Sequence, residues 1–455
     1  MVGTNGLNSL YPPDYRNFAP RVSAVWDASR KGQTVVRASW GIYYDSYSQD
    51  YFVGQLPWNT FNAGPAYNGI GPSPILFSYS PVSTLTPNTP VFPSSGFGAS
   101  DVFTVSQNNM RTPYMHNFNA NVEQQLGPHA AITLGYVGSL GRRLYRFRDI
   151  NQANPVTGIR PFDNGPFAPG GGAFGYVNQF EATAESKYNA FQAALTVRAL
   201  HGFTARADYT WSHSRDNASD GQDYVPNATQ PDNSFAPNNE WADSNFDVRH
   251  RFTLTFSYQV PTWAKAPGLT HGWAFDGVLT LASGQPYNLN YLFEGDFNGS
   301  GEYFGRPDVV GDPFAGTNGT DKFLNLAAFQ VPCTWDSEAG DCVPGTKHFG
   351  NLPRNAYRGP GYKNFDLAVS RSFALQHGAK LQVRVDIFNL FNITNYSNPL
   401  MPNFSTDFLM NGLNSANGRG VGYLALSATP DVAVGNPFLG GGGPRNIQLS
   451  AKLTF

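Results

Sequence analysis

The chain has 455 residues, 15% of them aromatic and only 14% charged, with 48 glycines and 34 prolines. That balance excludes a disordered chain and a helical solenoid, and a net charge of −2 gives no long-range attraction for nucleic acid. No stretch reaches the roughly 18 consecutive apolar residues that a membrane helix needs.

Two extended segments come first, Arg21 to Ala28 and Thr34 to Asp45, joined by a short polar connection. In the second, Val36, Ala38, Trp40, Ile42 and Tyr44 alternate with Arg37, Ser39, Gly41, Tyr43 and Asp45, which predicts a hairpin with one apolar side. Residues 46 to about 109 are rich in Pro, Gly, Ser and Asn, lack periodicity, and read as a long external loop. From Pro113 to Leu126 the pattern gathers Phe118, Ala120 and Val122 on one side. A tight turn then leads to a strand that carries Ile132, Leu134 and Tyr136. Arg142, Arg143, Arg146 and Arg148 close that strand, and a further loop is expected through Glu185.

Lys187 to Leu200 sets Phe191, Ala193, Leu195 and Val197 against Gln192, Thr196 and Arg198. After the minimal His201-Gly202 turn, Phe203, Ala205, Ala207, Tyr209 and Trp211 oppose Thr204, Arg206, Asp208, Thr210 and Ser212. An Asn- and Asp-rich loop precedes Phe246 to Val260, where Phe252, Leu254, Phe256 and Tyr258 alternate with Arg251, Thr253, Thr255 and Ser257. Trp273 to Ser283 follows, and then the longest loop, Gly284 to about Gly359. Asp366 to Phe373 and Leu381 to Phe388 form the next pair. A loop from Asn389 to Arg445 leads to the terminal strand, with Ile447, Leu449, Ala451, Leu453 and Phe455 on one face and Asn446, Gln448, Ser450, Lys452 and Thr454 on the other.

About eleven strands result, joined alternately by short and long connections. Every elaborate loop therefore falls at one end, as in a transmembrane β-barrel with tight periplasmic turns and long extracellular loops. The predicted fold is all-β and antiparallel. Its odd strand count points to part of a larger barrel, because single-chain bacterial barrels have even counts.

Arg206, Asp208, Arg251, Arg384, Asp386 and Lys452 are charged groups in mid-strand, facing away from Phe, Leu, Val and Tyr. Taken singly, each suits the wet face of a soluble sandwich. Taken together, with nothing to cover so much apolar surface, they point to a polar lumen and an outer face in lipid. Arg206, Asp208, Arg251, Arg384 and Asp386 are the lumenal candidates, which would tune solute passage or hydrogen-bond a plug. Trp26, Trp40, Tyr43, Tyr44, Trp211 and Trp273 lie towards strand ends, where an interfacial belt requires them. Arg371 shares a face with Leu367 and Val369, so it belongs at an interface or marks a bulge.

Cys333 and Cys342 bracket a segment of turn formers. The pair reads as a disulfide in an oxidising compartment, against two unpaired thiols, and no further cysteine is available for a thiolate metal site. His213, Asp216, His250 and Asp247 are the residues a hydrolase would call on, but local hydrogen bonding in loops and hairpins is the better reading, and no catalytic motif or cofactor fingerprint occurs. Asp296, Asn298, Ser300 and Glu302 alternate superficially like a calcium loop. The full ligand spacing is missing, and a solvated loop is expected.

The stretches NFAPRVSAVWDASRKGQTVVRASWGIYYD, YMHNFNANVEQQLGPHAAITLGYVGSLGRRLYR and YRGPGYKNFDLAVSRSFALQHGAKLQVRVDIFNLFNITNY, with the terminal GGPRNIQLSAKLTF, resemble the C-terminal part of TonB-dependent outer-membrane receptors of the Oar-like branch. The resemblance implies a barrel of about 22 strands around an N-terminal plug, coupled through TonB to the inner-membrane proton gradient. It also implies that Phe455 is the signal read by the barrel-assembly machinery. The expectation is a C-terminal barrel portion, residues 1–455, without plug or signal peptide. Its surroundings would be outer-membrane lipid, its partner an unidentified solute, and TonB would act only through a plug outside this chain. The alternative function is a structural or adhesive surface protein whose loops contact a partner without transport.

Overall fold

The computed structural model describes residues 14–45, 100–106, 109–162, 174–219, 231–263, 265–292, 296–302, 304–317, 324–395, 405–407 and 444–455. Most of the expected loops at 46–109 and 389–445, and 220–230 of the Asn- and Asp-rich loop, lie outside them. Eleven long strands follow one another in an antiparallel meander, each paired to its sequence neighbours: β1 Arg21–Asp27, β2 Thr34–Tyr44, β3 Tyr114–Leu126, β4 Ala130–Asp149, β5 Phe174–Leu200, β6 Phe203–Asp216, β7 His250–Gln259, β8 Trp273–Ala282, β9 Tyr362–Ala374, β10 Lys380–Phe388 and β11 Asn446–Thr454. Among the described residues no helix is long and apolar enough to cross a membrane, which is silent on crossing by strands. From β7 to β11 the strands run 9 to 13 residues, about what one tilted crossing takes.

The register keeps the apolar set on one face throughout. Val36 lies opposite Val122, Val122 opposite Leu134, Leu134 opposite Ala193 and Ala193 opposite Tyr209. Further round, Phe256 is opposite Gly277, Gly277 opposite Leu367, Leu367 opposite Ile387 and Ile387 opposite Ile447. A one-residue slip in any pair would move a whole strand's apolar side into the polar face, so this pattern itself fixes the pairing. Two glycines on the apolar face are roofed by aromatic rings of the neighbouring strand. A Cβ at Gly138 would lie 2.2 Å from the Phe118 ring, and one at Gly277 2.3 Å from the Phe256 ring. These rings fill the gaps that glycine leaves in the sheet surface.

Short turns close one end. Gly202, in the two-residue turn between β5 and β6, has φ of +84°, and a Cβ there would meet the Gln259 carbonyl oxygen at 2.3 Å. Both the backbone angle and the neighbouring strand therefore require glycine.

The other end departs from expectation. The loop expected through Glu185 is strand from Phe174 onward: β4 and β5 run 20 and 27 residues, far beyond one membrane crossing. The register shifts between Gly141 and Leu144 and again between Leu144 and Tyr145, with Arg143 at φ of 56°. These bulges mark where the ribbon leaves the barrel wall. Its upper part packs Met110, Tyr145, Phe147, Phe180 and Ala182 into a small core, and Ser100–Val105 joins β5 in parallel.

The expected loop from Gly284 to Gly359 is likewise a folded cap. Pro286–Leu292 pairs with Phe304–Gly305, Tyr357–Arg358 and Ser405–Asp407. Tyr287, Leu289, Leu324, Phe329, Leu352 and Tyr357 form one core. Tyr291 and Phe297 pack with the Cys333–Cys342 disulfide in another, so the two cysteines are bonded as read. Only Pro286–Leu292 alternates, with Tyr287, Leu289 and Tyr291 against Asn288 and Asn290; its partners are two or three residues long and show no apolar period, which is why the segment reads as loop.

Candidate solute-binding surfaces

All five lumenal candidates fall on the face opposite the apolar one. Arg206 is flanked by Thr196 and Thr255, Asp208 by Ala194 and Thr253, and Arg251 by Thr210 and Ala282. Arg384 is flanked by Ser370 and Ser450, and Asp386 by Ala368 and Gln448. Arg206 forms a 2.7 Å ion pair with Asp208, and Arg384 bridges Asp386 at 2.8 Å and Asp276 at 2.7 Å. Asp276 is the member that sequence reading missed. Its signal was alternation with Phe275 and Leu279 in β8.

A groove of about 480 Å³ runs along this face, lined by Arg206, Asp276, Asp366, Arg384 and Asp386, while Asp208 and Arg251 stand beside it. Further round the wall, Asn119 donates to Ser39 and Ser139 to Asn117, each at 2.7 Å. The face is a ladder of paired charges and hydrogen-bonding groups. Its ion pairs are half exposed and contribute about 0–1 kcal/mol each, so stability is not what they are there for.

The opposite face is bare. Leu449 and Leu453 are 75% and 54% exposed, and Phe252 and Phe256 are screened only partly, in the plane of the sheet. Trp26, Trp40 and Trp211 are exposed on it. Tyr43 is a correction to the aromatic belt, because it lies on the charged face with the Arg21 guanidinium 4.4 Å from its ring. Arg371 does lie on the apolar face, between the rings of Trp273 and Phe373 at 5.2 and 5.0 Å. It donates to the Gly268 carbonyl in the turn below, so its charge is carried to the edge of the wall.

At the long-loop end a buried ionic network ties the cap to the wall. Arg354 donates to the Asp216 carboxylate and carbonyl at the top of β6 and, at 3.0 Å, to the Glu240 carbonyl. Arg306 makes two 2.8 Å bonds to the Glu240 carboxylate. Arg358 bridges Asp243 and Asp247, and His213 meets Asp243 at 2.7 Å. Asp216 accepts the Ser219 hydroxyl and Asp247 lies 3.3 Å from Arg249, as local bonding requires, but Asp216, Asp247 and His213 are also joints between segments far apart in the chain. His250 meets the Tyr209 hydroxyl at 2.9 Å on the apolar face, away from the other three.

Burial pushes the Glu240 carboxyl up, but Arg306 outweighs it and holds the group below its ordinary range. Asp232, more remote from Arg306 at 3.7 Å, is pushed up to about 6 by burial. The segment expected to be a solvated loop is not one. Asn298, Ser300 and Glu302 are buried, turned by bonds from Ser300 N to Asn298 and from Glu302 N to Ser300. Burial, with Asp149 close by, raises the Glu302 carboxyl well above its usual value. Among the described residues no three His, Cys, Asp or Glu side chains converge to hold a metal ion.

An antiparallel meander with one bare apolar face, one face of paired charges, and turns and loops segregated to opposite ends defines an outer-membrane β-barrel wall. The chain belongs to the outer membrane beta barrel domain family, whose model matches residues 1–421, and its place is the outer membrane. No curated protein matches it. Similar solved structures include the outer membrane transporter YddB from Escherichia coli, with 11% identity and a TM-score of 0.44 over 83% of this chain and 37% of that one. The pyoverdine outer membrane receptor FpvA from Pseudomonas aeruginosa has 12% identity and a TM-score of 0.41 over 96% and 36%. BauA, the ferric preacinetobactin receptor from Acinetobacter baumannii, has 10% and 0.37 over 84% and 33%. The chain spans about a third of the length of each.

Proposed function

We propose that this chain is the C-terminal portion, residues 1–455, of a TonB-dependent, Oar-like receptor barrel that captures a solute outside the cell and passes it inward. The observation that carries this reading is the folded, disulfide-stapled cap over the open end of a wall whose inner face bears fixed, paired charges. The cap supplies a binding surface. Arg206, Asp208, Arg251, Arg384 and Asp386, with Asp276, supply hydrogen-bonding partners for a plug or a passing polar solute. Eleven antiparallel strands leave β1 and β11 running in the same direction, so an all-antiparallel closure requires an odd number of further strands, and another eleven would complete about 22. Phe455, 98% exposed at the end of the wall, is proposed as the residue read by the assembly machinery. The role is non-enzymatic.

The test compares cells with and without the gene, and cells with residues 285–358 deleted, on labelled sugars, ferric chelates and vitamins, with and without a proton uncoupler. The expected result is a solute that accumulates only in energised cells carrying the intact gene. Equal uptake in all strains, with surface attachment lost on deleting the cap, would replace transport by the adhesive reading.

A further inference from the structure

Above the bulges of β4 and β5 lies a second cleft, of about 570 Å³, between that ribbon and the segment around Pro237 to Trp241. Its size suits a ligand of two or three sugar-sized rings. Two arginines form its floor, and both are already committed to the protein. Arg146, 1% exposed, donates to the Thr183 hydroxyl and carbonyl at 2.8 Å and to the Pro237 carbonyl at 3.1 Å. Arg148 donates to both oxygens of Glu181, at 3.1 and 2.9 Å, and to the Ser234 carbonyl at 3.2 Å. Glu181 is the shared counter-charge, and three of the five N–H donors of each arginine are already held by protein acceptors, so a phosphate, sulfate or carboxylate ligand would have to compete with Glu181 for the floor.

The groups left over are of another kind. Asn217 accepts the Glu185 amide at 2.8 Å through Oδ1, which leaves its NH2 free. Among the described residues, the amides of Asn109 and Asn238 and the indole N–H of Trp241 have no protein partner. Trp241 is held in place by Arg215, whose guanidinium lies 5.4 Å from the ring and donates to the Trp241 carbonyl at 3.4 Å. The half-exposed carboxylate of Glu185, with one oxygen 3.5 Å from the Arg142 guanidinium, completes the rim. Neutral planar amides donate to and accept from adjacent hydroxyls, the carboxylate accepts from them, and an indole covers a patch of C–H. An apolar ligand would find only Trp241 and Pro237 to contact.

We propose that this cleft binds a neutral saccharide, with Trp241 stacking on a sugar ring while Asn109, Asn217, Asn238 and Glu185 take its hydroxyls. The proposal names the solute class for the capture step above and rests on that reading. Titration calorimetry on outer-membrane vesicles from expressing cells, with maltotriose, cellotriose and chitotriose as probes and citrate and inorganic phosphate as counter-probes, tests it. At least one trisaccharide should bind, with affinity falling about tenfold in Trp241→Ala, less in Trp241→Phe, and about fivefold in the exposed Asn238→Ala. Heat-modifiable migration of each variant confirms that the wall is folded. Binding of citrate or phosphate in place of the sugars, weakened by Arg148→Gln, overturns the proposal, as does the absence of binding by all three trisaccharides. Energised uptake that depends on the gene without saccharide binding would sink the cleft assignment alone. Saccharide binding lost in Trp241→Ala, with uptake of that sugar indifferent to the gene, would sink the capture reading alone.

Discussion

Asp232 is 2% exposed and its carboxyl is raised to about 6 by burial, with Arg306 only partly opposing. A carboxyl that binds its proton more tightly folded than unfolded weakens the fold as pH rises from about 4 through about 6, and the loss is complete above that window. Glu302 is raised by burial in the same sense. Glu240 has the opposite sign: its carboxyl is held low by Arg306, so its contribution is present at neutral pH and is lost as pH falls through its depressed value. The cap should therefore be most stable in mildly acidic solution. Asp232→Asn should flatten the limb between pH 4 and 6 and stabilise the cap at pH 8 by on the order of 2 kcal/mol. Amide exchange of residues 285–358 at pH 5 and pH 8 measures it, and an unchanged pH 5 to pH 8 difference in the variant would remove Asp232 as the cause. In the wall, Gly277→Ala places a Cβ 2.3 Å from the Phe256 ring. The crowding should cost about 1–3 kcal/mol in the urea midpoint of heat-modifiable migration, with Phe256→Leu restoring most of it.

The strands were legible because each presents a period-two pattern long enough to count, and all eleven appear where alternation places them, with ends displaced by a few residues except in β5, which begins at Phe174 instead of Lys187. Arg384 and Asp386 could be assigned from that pattern alone. Asp276 became their partner only through the register of β8, β9 and β10, a relation across strands that no single strand contains. The cap was illegible for a different reason. Apart from Pro286–Leu292, its strands are two or three residues long and carry no period, and the joint that fixes it, Arg354 on Asp216, spans 138 residues of chain. Both side chains of this joint are buried, at 2% and 5% exposure, so removing one leaves the other charge desolvated and alone. Arg354→Met should loosen the cap by about 3–5 kcal/mol and leave the eleven strands intact. Limited proteolysis should then cut within residues 285–358 at unchanged heat-modifiability. Equal protease resistance would mean that the two apolar cores hold the cap without this joint.

Across the whole wall, one chemical asymmetry decides where the molecule can reside. Leu449 in β11 lies opposite Val385, which lies opposite Val369 and then Phe275, so an apolar row continues across four strands. Its neighbour Gln448 lies opposite Asp386 and then Ala368 on the other face. The two positions share a strand, a depth and a turn distance, and differ only in the medium that each side chain meets. An arginine at Leu449 would enter hydrocarbon and should cost roughly 2–4 kcal/mol if the position lies near the midplane. At Gln448 the same arginine would join the paired charges beside Asp386 at little cost. Leu449→Arg should therefore lower the heat-modifiable, outer-membrane-inserted fraction while Gln448→Arg leaves it unchanged. A soluble protein with both faces in water would accept the two substitutions equally, so equal insertion of both variants would contradict the face assignment on which the charged groove, the cap above it and the solute reading all depend.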